Sequence, residues 1–353
     1  MPTTPIGKRA TIFDVASAAG VSRQTVSNAL NAPERVKPAT LERVRSEIDR
    51  LGYRPSSAAR GMRSQRAGAI GVELNADGFS DVGPLVLTQL ALHAPSHDVH
   101  LVPFVQPDGP VVDGYSDMSR RNLVDAYIFA DTHVGDPRPG WLTARAIPFA
   151  TFGRIYSHPE LTCWADVDGH AGVGLAVEHL GAQGYGTVGY LGWPLNDRAE
   201  GVAEDRHRGW VDATAARGVT GPEICVHQDL DAAVAGAHDL LAQLAPGDAV
   251  ACASDLLALG VLYAASHRGL RVGPDLGLVG FDGSAIAQRH QITSIAQPFE
   301  ALAQTLLRLV HDQLSGRSPA TSGQLLTPSL APAASTDRES QLTAYTPIPV
   351  TGN

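Results

Sequence analysis

Cysteine is nearly missing from this chain: Cys163, Cys225 and Cys252 are the three among 353 residues. They are too few and too scattered for a disulfide framework or a zinc site, so a reducing compartment is expected. Lysine is scarce too, with Lys8 and Lys37 against 25 arginines. No apolar run approaches the ~18 residues of a membrane span. No apolar stretch follows Lys8 and Arg9, as a secretory signal would require. A cytoplasmic protein that makes no membrane contact is expected. Catalytic patterns are equally sparse. His-Glu-x-x-His, Gly-x-Ser-x-Gly and Gly-Lys-Ser/Thr do not occur. The Gly-rich piece Gly181-Ala-Gln-Gly-Tyr-Gly186 lacks the strand-before, helix-after context of a dinucleotide site. No enzymatic activity, cofactor or metal is therefore expected.

The composition is that of a folded chain, 44% hydrophobic and 18% charged. Its length implies two or three domains at roughly 100–200 residues each. Charge is segregated along it. Residues 1–66 hold 12 Lys and Arg against 5 Asp and Glu, a net +7; since the whole chain is −9, the remainder carries −16. A small basic head on an acidic body suits a polyanionic partner for the head. On charge alone, a merely solvated head fits as well.

The pattern within the head decides between these. Thr11 can cap a helix over 12–19, with Asp14 in its first turn and Gly20 at its left-handed stop. Ser22 caps a second helix over 23–30, where Val26 and Leu30 point to a core and Arg23, Gln24, Ser27 and Asn28 are expected to face outward. Two short helices joined by a tight Gly-containing turn make a helix-turn-helix, whose second helix enters the major groove. Arginine matches guanine edges there, and Gln or Asn adenine edges. A third helix over 38–51 opens on Pro38 and is followed by Gly52; Leu41, Val44, Ile48 and Leu51 close a small core.

The stretch Thr11-Ile-Phe-Asp-Val-Ala-Ser-Ala-Ala-Gly-Val-Ser-Arg-Gln-Thr-Val-Ser-Asn-Ala-Leu-Asn31 resembles the signature of the lactose-repressor (LacI) family of bacterial transcription regulators. The likeness continues through Leu51-Gly-Tyr-Arg-Pro55 and Ser56-Ser-Ala-Ala-Arg-Gly-Met-Arg63, and reaches about Asp337. It implies DNA contacts from Thr11, Ser22, Arg23, Gln24, Thr25, Ser27, Asn28 and Tyr53 in the head. Residues 56–66 would be a hinge helix formed only on DNA, contacting it through Ala59, Arg60, Met62 and Arg63. The segment is too short to be stable alone, and Gly61 weakens it further. Met62 would wedge into the minor groove, where the family more often has Leu. Read without the upstream motif, the same segment is a linker with one incidental Met.

From Ala69 the body alternates short apolar runs (70–74, 99–105, 126–129, 188–191, 249–253, 278–281) with amphipathic stretches (84–93, 169–180, 208–217, 230–244, 256–268). That alternation predicts α/β structure with parallel sheets. The resemblance implies a two-lobed, periplasmic-binding-protein-like body with an effector between the lobes. The expected organisation is a flexible 1–10, a helix-turn-helix domain over 11–55, a hinge over 56–66, and a ligand-binding and dimerisation domain over 67–337. In the last, lobe 1 would be 67–166 with 294–325, and lobe 2 would be 167–293 with 326–337. A disordered tail, 338–353, is expected to follow.

Six further segments carry the likeness: Ile147-Pro-Phe-Ala-Thr-Phe-Gly-Arg154, Ala165-Asp-Val-Asp-Gly169 leading into the helix with Val177-Glu-His-Leu180, Arg206-His-Arg-Gly-Trp210, Ser254-Asp255-Leu-Leu-Ala-Leu-Gly260, Val279-Gly-Phe-Asp282 and Ile292-Thr-Ser-Ile-Ala-Gln-Pro-Phe299. Phe79, Arg154, Arg206, Ser254, Asp282 and Phe299 are the implied effector contacts. Arginine forks and a carboxylate suit a hydroxyl-rich ligand such as a sugar. Ser254 replaces the family's usual Asn, Gly283 a second Asp, and Leu230 an aromatic, so the ligand class is less settled than the fold. Plainer roles also suit these residues: a surface ion pair of Arg206 with Glu204 or Asp205, a loop cap for Asp282, and a helix N-cap for Asp255. The tail has no leucine heptads, so a homodimer on a pseudo-palindromic operator is expected. The expected function is a sequence-specific repressor under allosteric control by a sugar-like effector. The alternatives are a corepressor-dependent regulator responding to another metabolite and a sugar-binding protein with no DNA role.

Overall fold

The computed structural model describes residues 10–53, 66–74, 82–106, 111–195, 200–219, 221–317 and 323–339. Two compact units result, residues 1–68 and 69–353.

The first unit is helical: α1 (Ile12–Ala19), α2 (Arg23–Asn31) and α3 (Pro38–Leu51). Thr11 closes a capping box with Asp14, and Gly20 and Gly52 end their helices at φ +64° and +60°, where a side chain would be strained. Val15, Ala16, Ala19, Val26, Ala29 and Val44 form its buried core. Ser27 corrects the expected outward set, for it is buried. A short helix held between two others covers more than one narrow stripe, and a small side chain fits at the margin.

The second unit contains two six-stranded sheets. The first takes β1 (Ala69–Leu74), β2 (His100–Val105), β3 (Ala126–Phe129), β4 (Phe149–Phe152), β5 (Trp164–Val167) and β11 (Gln324–Leu326), in the order β11-β5-β4-β3-β1-β2. The second takes β6 (Val188–Gly192), β7 (Glu223–Cys225), β8 (Ala249–Cys252), β9 (Gly277–Asp282), β10 (Thr293–Ala296) and β12 (Ser329–Ala331), in the order β12-β10-β9-β8-β6-β7. All pairings are parallel except β10 with β12. The central strands are buried along their length, as parallel strands covered on both faces must be.

Helices fill the connections: α4 (Val82–His93), α5 (Asp113–Arg120), α6 (Pro137–Thr143), α7 (Gly169–Ala182), α8 (Glu200–Ala216), α9 (Leu230–Leu241), α10 (Asp255–His267), α11 (Ala285–His290) and α12 (Phe299–Leu314). Helix α12 packs its Leu302, Leu306 and Val310 into the core of the first sheet. The chain thus crosses between sheets after β5, after β10 and after β11. Because β10 belongs to the second sheet, the return to the first begins at α12, a few residues later than the expected 294. Helix α8 starts at Glu200, well before the expected 208, because its first turns are polar and carry no apolar period. Helices α7 and α8 approach closely at Gly209, where a Cβ would stand 2.4 Å from the His170 carbonyl oxygen. Among the described residues no helix is long and apolar enough to cross a membrane.

Candidate functional site

In the first unit, α2 begins at a residue whose cap is built into the turn. The Ser22 hydroxyl accepts from Thr25 N–H at 3.1 Å and lies 2.9 Å from the Thr25 hydroxyl. Arg23 and Gln24 are exposed and Asn28 half-buried. The Gln24 amide donates to Asn28 Oδ1 at 3.0 Å, one helical turn away. Thr11 is exposed beside Asp14, and Tyr53 is half-buried against the head's core. Exposed Arg and amide side chains on a capped helix can make the edge contacts that distinguish base pairs. Ala59, Arg60, Met62 and Arg63 lie outside the described residues, as does Phe79.

In the second unit the polar residues gather at the C-terminal ends of the parallel strands, where open α/β sheets bind ligands. Arg206, on α8, is buried. Its guanidinium carbon stands 3.7 Å from the Phe281 ring centroid and 5.0 Å from that of Trp193. One terminal nitrogen donates to the Ala253 carbonyl, and the other lies 3.5 Å from Asp282 Oδ1. The structure therefore brings Arg206 and Asp282 together, and the surface ion pair with Glu204 or Asp205 is not formed by Arg206. Asp282 ends β9 with φ +119°, a conformation that L residues rarely adopt and that tends to mark functional sites. Gln297 donates to its Oδ1 at 2.7 Å. Two buried atoms beside this carboxylate, Arg206 Nε and Gln297 Oε1, have no hydrogen-bond partner among the described residues.

Ser254 is buried and caps α10, its hydroxyl accepting from Leu257 N–H at 3.2 Å and donating to Gln228 Oε1 at 2.9 Å. Gln228 Oε1 also accepts from Trp193 Nε1 at 2.6 Å. The cap expected of Asp255 thus belongs to Ser254. Asp255 instead turns inward, accepting from Ser284 N–H at 2.8 Å and from the Ser294 hydroxyl at 2.6 Å. Burial and the neighbouring Asp282 push its carboxyl up to about 7.

Arg154 does not join Arg206 and Asp282. It lies 2.7 Å from Asp205 on α8 and 3.7 Å from Asp166 on β5, so two carboxylates engage its fork. Burial pushes the Asp166 carboxyl up, against the Val167 N–H and Arg154, which pull it down. Phe299 heads α12 and is half-buried against the first core. On the first sheet a buried cluster holds the turn after β3: Arg138 lies 2.6 Å from Glu73 and 2.8 Å from Asp136, and donates to the Ala130 and Asp131 carbonyls.

Trp193, Gln228, Gln297 and the Arg138 cluster escape sequence reasoning. Gln297 lies within the quoted segment 292–299, and Trp193 lies two residues past the end of the predicted run 188–191. Either could have been found by listing polar and aromatic residues just past each buried strand. Among the described residues no group of three or more His, Cys, Asp and Glu could hold a metal.

Residues 11–56 match the family described as bacterial regulatory proteins, lacI family, and residues 177–336 a periplasmic binding protein-like domain. The HTH-type transcriptional regulator CelR of Thermobifida fusca is 30% identical over 331 residues, covering 88% of this chain and 94% of that protein. A solved CelR–cellobiose complex aligns with a TM-score of 0.68 at 24% identity, over 93% of this chain and 100% of that one. The Lac repressor dimer bound to operator and the anti-inducer ONPF aligns with a TM-score of 0.76 at 24% identity, over 94% and 100%. The two structures share the fold. The chain belongs to the lacI family of bacterial regulatory proteins.

Proposed function

We propose that this chain is a cytoplasmic, homodimeric repressor whose hold on a pseudo-palindromic operator is released by a sugar. Two heads related by a two-fold axis set Arg23, Gln24 and Asn28 against base edges in successive major grooves. Thr11, Ser22, Thr25, Ser27 and Tyr53 support or contact the backbone. Ala59, Arg60 and Arg63 follow into the minor groove with the hinge, and Met62 wedges the central step. The segments 11–55, 56–66 and 67–337 serve as reading head, hinge and effector-binding, dimerising body. No enzymatic step enters this reading.

The observation that carries the effector assignment is the pair of atoms beside Asp282 left without a hydrogen-bond partner among the described residues. Arg206 Nε offers a donor and Gln297 Oε1 an acceptor, both buried. A buried polar atom left unpaired is destabilising by about 1–3 kcal/mol. A hydroxyl group has the chemistry to accept from an Nε–H or donate to an amide oxygen. Trp193 adds an apolar ring surface beside them. A neutral sugar has this chemistry, and cellobiose, held by the solved CelR complex, is the first ligand to test.

The test is a footprint on genomic fragments selected by the purified protein, at two salt concentrations, with and without a panel of sugars. The expected result is a protected palindrome with a distorted centre, weaker at high salt and lost with one sugar. Protection that no sugar alters would overturn the effector half of the proposal. No protection at either salt, with or without metabolite pools, would overturn the DNA half.

A further inference from the structure

Phe13 is an exposed aromatic in a head that does not need it for its core. It lies on α1 with 60% of its surface accessible, while Val15, Ala16 and Ala19 of the same helix are the buried ones. What covers its ring is Arg23, the first residue of α2, with its guanidinium carbon 4.5 Å from the ring centroid. Among the described residues no carboxylate pairs with Arg23. A guanidinium stacked on an aromatic face keeps its N–H donors in the plane of the fork, free at the edge. The neighbouring readers are also restrained, Gln24 by its bond to Asn28. Each of the three candidate base contacts therefore has a partner within the head itself, and the partner of Arg23 is one exposed ring.

We propose that Phe13 is a positioning residue: its ring fixes the plane of Arg23 so that the N–H edge meets a guanine in the major groove. This rests on the reading of Arg23 as a base contact. An arginine free to rotate loses that freedom on binding. One already stacked loses less, and it presents fewer wrong geometries to the other bases. Phe13 then contributes to discrimination rather than to general attraction for DNA, because its ring carries no charge to neutralise phosphate.

The experiment uses the full chain and a duplex selected by it from a random-sequence library, together with duplexes substituted at one base pair at a time. Affinities are measured for the wild type and for Phe13→Ala, Phe13→Tyr and Arg23→Ala, alongside a non-specific duplex and the thermal unfolding of each protein. Arg23→Ala is expected to abolish a guanine preference at one position per half-site. Phe13→Ala should lower that same preference by roughly threefold, the scale of an exposed cation–π contact. It should leave other positions, non-specific affinity and unfolding unchanged. Phe13→Tyr, which keeps the ring, should behave as wild type.

If Phe13→Ala keeps the full guanine preference that Arg23→Ala abolishes, the positioning role is overturned while the Arg23 reading stands. If Phe13→Ala weakens specific and non-specific binding alike, Phe13 is merely structural, and the inference again fails. A preference lost at a position other than that of Arg23 would make Phe13 a base contact and overturn it too. If Arg23→Ala alters no base preference, the underlying reading falls, and the inference with it.

Discussion

At the scale of the residue, Arg206 is held by a ring, a carbonyl and a carboxylate, and its Nε finds no hydrogen-bond partner among the described residues. Lysine at this position would keep a cation for Asp282 but lose the fork and the Nε–H. We expect Arg206→Lys to weaken the response to the releasing sugar by roughly ten- to a hundredfold, the worth of a hydrogen bond to a charged group. Operator affinity in the absence of sugar should stay within about twofold. Sugar titration by calorimetry and by operator release would check both, and an unchanged sugar affinity would remove Arg206 from the site. Asp255 gives a second prediction. Burial and the neighbouring Asp282 push its carboxyl up to about 7, well above the usual carboxylate range, so the folded chain binds this proton more tightly than the unfolded one. The group's contribution to stability is complete below about 4 and is lost as pH rises towards 7, with a slope of at most about 1.4 kcal/mol per pH unit. Asp255→Asn has no such proton. Urea unfolding between pH 4.5 and 7.5 should show a flatter dependence in the variant than in the wild type. Equal slopes would mean that Asp255 stays ionised throughout.

At the scale of the element, the head is where local chemistry decides most. In the box that opens α1, the Asp14 carboxylate accepts from Thr11 N–H at 2.7 Å and from its hydroxyl at 2.7 Å. Thr11→Ala removes the hydroxyl and is expected to destabilise the head by about 1 kcal/mol. Amide exchange over residues 12–19 should accelerate while that of the buried strands is unchanged, and operator binding should weaken with it. Exchange unaltered over 12–19 would show the cap to be dispensable. The same locality explains what could be read in advance. Caps, glycine stops and a short apolar period set α1, α2 and α3 within three or four residues of chain, and all three stood in the sequence. Six strands were legible as apolar runs; in β3, β6, β8 and β9 this is because parallel strands buried on both faces leave few polar positions, whereas β2 has no buried residue. Strands β4, β5, β7 and β10 to β12, three or four residues long, were not read as apolar runs. Helix α8 was seen only in its C-terminal half, although Arg206 lies in the half that was missed. The family likeness named Arg206 and Asp282 as effector contacts but not their pairing with each other, and Gln297, Trp193 and Gln228 join them from three separate segments. Their meeting is a property of the tertiary structure, and no local period records it.

At the scale of the whole molecule, the proposed function couples two kinds of binding that the sequence assigns to separate parts of the chain. The +7 head carries the attraction to phosphate, and the −16 remainder is electrostatically unsuited to DNA. A sugar in the body can therefore affect operator affinity only by shifting which arrangement of the body the bound heads tolerate. Such a coupling is a free energy shared by the two sites, and it is reciprocal. If saturating sugar weakens the selected operator by a given factor, saturating operator must weaken sugar binding by the same factor, expected in the range of about 5 to 150. Non-specific duplex offers the charge without the paired geometry, so it should shift sugar affinity far less. The check is a pair of titrations under one buffer: operator with and without sugar, then sugar with and without operator. Matching factors are required of two sites joined by one equilibrium. Unequal factors would show that the released species is not the free dimer, for example because sugar also changes the oligomeric state. A factor of one in both titrations, with the sugar bound, would mean that the body binds its ligand without governing the heads.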